Sequence, residues 1–151
     1  AIFWLGHSKD EKALDLLLQL YDKETDEKIK ERLIFAFAEN KSKKTSDKLL
    51  DIAKNDKDLE AREKAIFWLG EEKSDELVDL LSDIYSKTED TRVKERIIFS
   101  LSQNGSDKAV RKMIEIARKE GNVELKKKLI FWLGQSKNEE AMKFLKEIIE
   151  K

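Results

Sequence analysis

An aromatic-centred segment recurs every 32 residues along this chain of 151 residues. One phenylalanine marks each copy, at Phe3, Phe35, Phe67, Phe99 and Phe131, without insertion or deletion between copies. A period of roughly 20–50 residues indicates an array of small structural units rather than one closed fold. A unit of this length has no sufficient core of its own, so the chain must bury its apolar residues by stacking copies.

Each copy contains two stretches in which apolar residues recur at helical spacing, which we name helix A and helix B. Helix A carries the phenylalanine, and helix B follows it. Asp, Asn or Ser precedes every such stretch except the first, at Asp26, Asp58, Asp90 and Asn122 for helix A and Asp10, Ser42, Ser74, Ser106 and Asn138 for helix B. These residue types cap helix starts. No segment alternates with the period of a strand, so the sequence predicts an all-α fold.

The helix A segments AREKAIFWLG, VKERIIFSLS and LKKKLIFWLG begin with an apolar and a basic residue and end in small or apolar residues, twice as Leu-Gly. This pattern resembles the HEAT-like repeats of the phycobilisome-lyase type over essentially the whole chain. The resemblance implies an α-solenoid, a right-handed α–α superhelix of about five 32-residue helical hairpins. We expect a single domain over residues 1–151 whose first repeat is truncated.

The composition excludes several kinds of chemistry. The chain has no cysteine and one histidine, His7, so it has neither a cysteine-ligated metal site nor a pair of catalytic imidazoles. Its 31 basic and 32 acidic residues leave a net charge of −1, which argues against a strongly basic nucleic-acid binder. No phosphate-binding glycine loop and no membrane-spanning stretch is visible. We therefore predict a non-enzymatic protein-interaction scaffold without a cofactor.

The resemblance places the second helix of each hairpin on the concave surface of the solenoid. The outward columns of helix B are then the candidate partner-binding residues: Asp15, Gln19, Asp47, Asp51, Asp79, Asp83, Arg111 and Glu115. Carboxylates dominate the first three repeats and basic residues enter afterwards. We therefore expect a protein or peptide partner with a basic segment. A solvated face without a partner is the alternative.

Helix A is apolar on three sides, which is typical of a helix buried between neighbours. We expect the phenylalanine of one repeat to pack on the isoleucine of the next, and an exposed ridge of phenylalanines is the alternative. Tryptophan occurs in alternate copies, at Trp4, Trp68 and Trp132, where the intervening copies have Ala36 and Ser100. In helix B, Tyr21 and Tyr85 alternate in the same way with Ala53 and Ala117. This second period of 64 residues predicts alternating large and small core residues, with an aromatic ligand groove as the alternative.

Two basic columns run along helix A, namely Lys30, Arg62, Lys94, Lys126 and Arg32, Lys64, Arg96, Lys128. Glutamates lie between them, so we expect ion pairs between repeats, with contacts to nucleic-acid phosphates as the alternative. The resemblance also leaves open a lyase-like or enzyme-accessory module that binds a chromophore or small ligand. The first helix A lacks a cap and a covering neighbour, so we expect either that the chain is part of a longer solenoid or that another chain covers this N-terminal end, for example by self-association.

Overall fold

The computed structural model describes residues 2–7, 10–72 and 74–150, and the side chain of the predicted anchor Phe3 lies outside that description. Within these ranges the chain forms ten α-helices and no strand, which confirms the predicted all-α class. The helices are α1 (Ile2–His7), α2 (Glu11–Lys23), α3 (Glu27–Asn40), α4 (Lys43–Asn55), α5 (Leu59–Gly70), α6 (Asp75–Lys87), α7 (Thr91–Asn104), α8 (Asp107–Lys119), α9 (Val123–Gln135) and α10 (Glu139–Glu150). Odd-numbered helices are helix A and even-numbered helices are helix B.

All nine predicted caps stand immediately before a helix, and their side chains accept hydrogen bonds from its first turn. At the start of α3, for example, the Asp26 carboxylate accepts from the backbone N–H groups of Lys28 and Ile29. These bonds satisfy donors that the helix itself leaves without partners. The helix starts are therefore determined locally by the capping residues.

The helices form two compact units, Ala1–Leu69 and Gly70–Lys151. In the first unit, α1 contacts α2 and α3, while α3 contacts α2 and α4. In the second unit, the A helices α7 and α9 contact each other, and the B helices α6, α8 and α10 contact one another in sequence. Contacts between neighbours along the chain are what a helical repeat solenoid requires.

The core of each unit lies between its A and B helices. Phe37 on α3 and Ile52 on α4 are almost completely buried in the first unit, as are Leu101 on α7 and Met113 on α8 in the second. The single domain, the right-handed superhelix and the repeat number remain predictions. No helix within the described ranges is long and apolar enough to cross a membrane.

Candidate functional site

The B helices of the first unit expose the predicted polar columns on the side opposite their buried residues. On α2, Leu14 and Leu17 are buried, whereas Gln19 is exposed and Asp15 is half-exposed. On α4, Asp47 and Asp51 are both exposed, one helical turn apart. The Asp51 carboxylate accepts a hydrogen bond of 2.9 Å from the Asn55 side chain, and the Asp15 carboxylate lies 3.1 Å from the Lys44 ammonium.

The equivalent columns in the second unit carry more ion pairs. Asp79 on α6 accepts a hydrogen bond of 2.7 Å from Lys108 on α8, which lowers the pKa of the Asp79 carboxyl. Asp83 lies 3.1 Å from Lys87 on the same helix. The predicted basic residue Arg111 donates to Glu140 on α10, and Glu115 lies 3.5 Å from Lys112. The candidate column of this unit is therefore internally paired.

The partners Lys44 and Lys108 were not among the sequence-predicted residues. Each lies 29 residues after the aspartate that it pairs with, on the next B helix of the same unit. Their spacing of 64 residues repeats that of Asp15 and Asp79, and this shared period is the signal that could have identified them. These pairs are largely exposed, so each contributes little to stability.

Each unit also contains a cluster of tyrosine, carboxylate and lysine that the sequence did not predict. In the first unit, the Tyr21 hydroxyl donates to the Asp56 carboxylate at 2.5 Å, and the Lys30 ammonium lies 3.3 Å from the same carboxylate. A backbone N–H, that of Asp58, donates to Asp56 at 2.8 Å. Lys30 also lies 5.2 Å from the centre of the Tyr21 ring, a distance at which a cation attracts the ring face.

The second unit repeats this cluster 64 residues later. The Tyr85 hydroxyl donates to the Glu120 carboxylate, and the Asn122 backbone N–H donates to it at 3.1 Å. Lys94 lies 5.0 Å from the centre of the Tyr85 ring and 4.0 Å from Glu120. Burial, together with the hydrogen bond to a carboxylate, raises the pKa of both tyrosine hydroxyls above the ordinary value. Both tyrosines are buried, as predicted for the large residues of helix B, whereas the prediction of a core position is wrong for Trp4, which is 75 % exposed.

A family model for HEAT repeats matches residues 46–122, about half of the chain. The chain belongs to the HEAT repeat family. HEAT repeats are generally protein-interaction scaffolds and are typically not catalytic. A search of curated proteins finds no match.

In these HEAT repeats, the basic columns of helix A are largely engaged inside the protein. Arg62 on α5 donates to the backbone carbonyl of Ala53 at 3.0 Å. Lys64 lies 3.2 Å from Glu31, and Lys128 lies 3.1 Å from Glu95, each pair joining adjacent A helices of one unit. The predicted ion pairs between repeats are therefore present in the second column, at Lys64 and Lys128.

The phenylalanines of helix A are not fully buried in the described copies, and their packing on the next isoleucine stays a prediction. Phe35 and Phe131 are 40 % and 56 % exposed, and Phe67 and Phe99 are only half-buried. Each ring meets a tryptophan edge-on: the ring centres are 5.3 Å apart for Phe35 and Trp68 and 5.7 Å apart for Phe99 and Trp132. Ile34, Ile66 and Ile98 take the fully buried positions.

A close approach explains why the residue at position 100 is small. A Cβ atom added to Gly70 would lie 2.8 Å from the Ser100 side-chain oxygen, closer than van der Waals contact allows. Ser100 is itself buried, so a larger side chain at either position has no space. The described part of the second unit therefore combines a tight small-residue contact at Ser100 with a wide aromatic contact at Trp132.

Proposed function

We propose that this HEAT-repeat chain is a scaffold that binds a protein or peptide partner along the outward faces of its B helices. The observation that supports this most directly is on α4. Asp47 and Asp51 present exposed carboxylates one turn apart, and neither forms an ion pair with a basic residue in the part of the chain that the structure describes. Unpaired carboxylates at this spacing favour a segment carrying Lys or Arg.

The neighbouring ion pairs are compatible with such a partner. The side chains of Asp15 and Lys44 are each about half exposed, so their pairing is screened by water. A basic residue of the partner can replace Lys44 at little cost. In this proposal Gln19, Asp47 and Asp51 form the recognition face of the first unit. Asp79, Asp83, Arg111 and Glu115 form the corresponding face of the second unit, where the charge is mixed. These faces line the concave side of the proposed superhelix.

The geometry gives less support to the alternatives. A nucleic-acid interface on helix A would have to break the bonds of Arg62, Lys64 and Lys128 that join helices within each unit. Chromophore binding at the tryptophans would displace the phenylalanine rings that cover them. Self-association through the N-terminal end remains a proposal, supported by the exposed side chains of Trp4 and Leu16.

The test is selection of binding peptides from a displayed random library against the whole chain at low salt. We expect peptides with two or more Lys or Arg residues to be enriched. The double variant Asp47→Lys/Asp51→Lys should lower their affinity by about tenfold or more, because each reversal replaces attraction with repulsion. Binding should weaken as the salt concentration rises.

The matched control is Glu39→Lys/Glu71→Lys, which makes the same change in net charge at exposed positions outside the B helices. This variant should keep the affinity within about twofold, since long-range effects of charge are screened. Equal losses of peptide affinity in both double variants would show that net charge alone causes the effect, which would contradict the assigned face. Enrichment of peptides without basic residues would contradict the assigned partner chemistry.

A further inference from the structure

A cavity of about 270 Å³ opens in the second unit between the C-terminal halves of α6 and α8. Ser82 and Ser86 line one wall, Tyr85 and Ile116 supply apolar surface, and Lys94 reaches in from the start of α7. Sites for whole small molecules are commonly about 300–1,000 Å³. The cavity is therefore just below that range and has room for one long side chain.

Lys94 is held more loosely than its counterpart in the first unit. The Lys30 ammonium lies 3.3 Å from Asp56 and 3.6 Å from Asp58, so two carboxylates balance it. The residue equivalent to Asp58 is the neutral Asn122, and the Lys94 ammonium lies 4.0 Å from its remaining carboxylate. Within the described part of the chain, the Lys94 ammonium donates no hydrogen bond. A half-buried ammonium with unused donors favours an additional anion.

The serines that line the cavity also differ from the equivalent residues of the first unit. The residues of the first unit equivalent to Ser82 and Ser86 are Leu18 and Asp22. Asp22 binds Lys48 at 2.5 Å, and Lys48 lies over the Tyr21 ring. In the second unit, the Ser82 hydroxyl has no hydrogen-bond partner among the described residues. Leucine and an ion pair thus stand where the second unit has two small hydroxyl side chains.

The two carboxylates that line the cavity, Glu115 and Glu120, already have partners. Glu120 already accepts hydrogen bonds from the Tyr85 hydroxyl and from a backbone N–H. Glu115, at the rim, lies 3.5 Å from Lys112 and 3.9 Å from Lys119, so two ammonium groups already face it. Two lysines, Lys94 and Lys119, line the cavity together with these two glutamates.

We propose that this cavity binds the carboxylate side chain of a glutamate from the protein partner, a proposal that rests on the scaffold function above. The carboxylate accepts hydrogen bonds from the Lys94 ammonium and the Ser82 hydroxyl. Its methylene groups lie against Ile116 and the Tyr85 ring. The partner would then place a basic segment on the first unit and an acidic residue on the second, matching the charge change along the B helices.

The experiment follows backbone amide resonances of the whole chain by NMR during titration with N-acetyl-glutamate N-methylamide. We expect saturable shifts confined to residues 82–86, 94 and 115–120. The glutamine analogue, which has the same shape without the charge, should bind about tenfold more weakly because it loses the charge-assisted hydrogen bond. Inorganic phosphate serves as a third probe and should bind more weakly than the glutamate compound.

Two variants replace a residue of the second unit by the equivalent residue of the first unit. Ser82→Leu fills the cavity with the side chain found at Leu18, and Asn122→Asp supplies Lys94 with the second carboxylate that Lys30 has. Each should weaken binding of the glutamate compound by about tenfold. Aspartate is as good a helix cap as asparagine, so Asn122→Asp keeps the test valid if Ser82→Leu folds poorly.

Equal binding of the glutamine analogue, or shifts that Asn122→Asp leaves unchanged, would overturn the proposal. Tighter binding of phosphate would overturn it in favour of a phosphorylated residue. The variant Asp47→Lys/Asp51→Lys should not alter this titration, because those residues lie in the first unit. Failure of the cavity and failure of the scaffold face therefore give different results.

Discussion

The two units contain the same tyrosine–carboxylate–lysine cluster, yet only in the first unit are the lysines around the tyrosine paired closely with carboxylates. Around Tyr21, Lys30 is bound by Asp56 and Asp58, and Lys48 covers the ring while bound to Asp22. Around Tyr85, the single carboxylate of Glu120 lies 4.0 Å from Lys94, and serines face a cavity. In a repeat protein, one copy of a cluster can thus stabilise the fold while a second copy has hydrogen-bond donors without a close acceptor.

The largest expected difference between the units concerns the two lysines. Lys30→Met should lower the free energy of unfolding by about 2–3 kcal/mol, near the lower end of the roughly 3–5 kcal/mol found when one partner of a buried ion pair is removed. It leaves the carboxylates of Asp56 and Asp58, which are only 12 % and 25 % exposed, without their cation. Lys94→Met should cost less than about 1 kcal/mol, because its ion pair is longer and its ammonium is more exposed than that of Lys30.

Urea unfolding followed by circular dichroism measures both losses, and the dependence on urea concentration shows whether the variants still unfold cooperatively. Methionine keeps the aliphatic length of lysine, so packing changes little. Similar losses in the two variants would show that the clusters are energetically equivalent, contrary to the difference in distances.

Features set by neighbours in the sequence were predictable, and features set by distant packing were not. All nine caps act within three residues, so the residue type alone identified them. The tyrosines at positions 21 and 85 could be assigned to the core from helical spacing. Their carboxylate partners lie 35 residues further on, in the segments after α4 and α8, and only the stacked helices bring them together.

The exposed phenylalanines show another limit of helical periodicity. The pattern correctly separates Ile34 and Phe35 onto different flanks of helix A, but it does not tell which flank the neighbouring helix covers. In each unit a tryptophan spans the distance to the adjacent A helix and leaves part of the phenylalanine in water. The depth to which a ring is covered therefore depends on the partner side chain, which one helix cannot specify. On the polar face, spacing identified the exposed columns but not the lysines Lys44 and Lys108.

Removing the tyrosine hydroxyls should give an intermediate effect. Tyr85→Phe should cost about 1–2 kcal/mol, because Glu120 then keeps one backbone hydrogen bond and a distant lysine. Tyr21→Phe should cost about 1 kcal/mol or less, since Asp56 keeps short contacts with Lys30 and with a backbone N–H. Thermal or urea unfolding of the two variants tests the order, and a larger loss for Tyr21→Phe would contradict it.

The pH dependence of the free energy of unfolding gives a second test of the tyrosine clusters. The folded state raises the pKa of both tyrosines above the ordinary 10.0, so it holds protons that the unfolded chain releases. Their contribution is complete below pH 10 and is lost as the pH rises further. Burial raises the pKa of Asp56 and Glu120, but the tyrosine, backbone and lysine contacts outweigh it and lower both values. That contribution is present above about pH 4.5 and is lost in acid. In the double variant Tyr21→Phe/Tyr85→Phe, the free energy of unfolding should therefore change less with pH, both in alkali and in acid.

The smallest expected effect comes from the ends of α3 and α7, where the units use different residues at one backbone geometry. Lys41 after α3 and Gly105 after α7 are both left-handed, with φ of 57° and 67°. This conformation costs a residue with a Cβ atom roughly 1–2 kcal/mol, a cost that glycine avoids. Glycine also increases the entropy of the unfolded chain, which offsets part of this advantage. Lys41→Gly should therefore stabilise the chain by about 0.5–1 kcal/mol, and Gly105→Lys should destabilise it by a similar amount.

The exchange of these two residues is a balanced test because both positions are exposed and the double variant has the original composition. Its stability should lie within about 0.5 kcal/mol of the unmodified chain if the two helix ends act independently, as distant sites usually do. Each single variant should shift the urea midpoint in the opposite direction from the other. A loss on Lys41→Gly would mean that the Lys41 side chain, rather than its backbone, stabilises the end of α3. In that case the two units would end the same helix by different means.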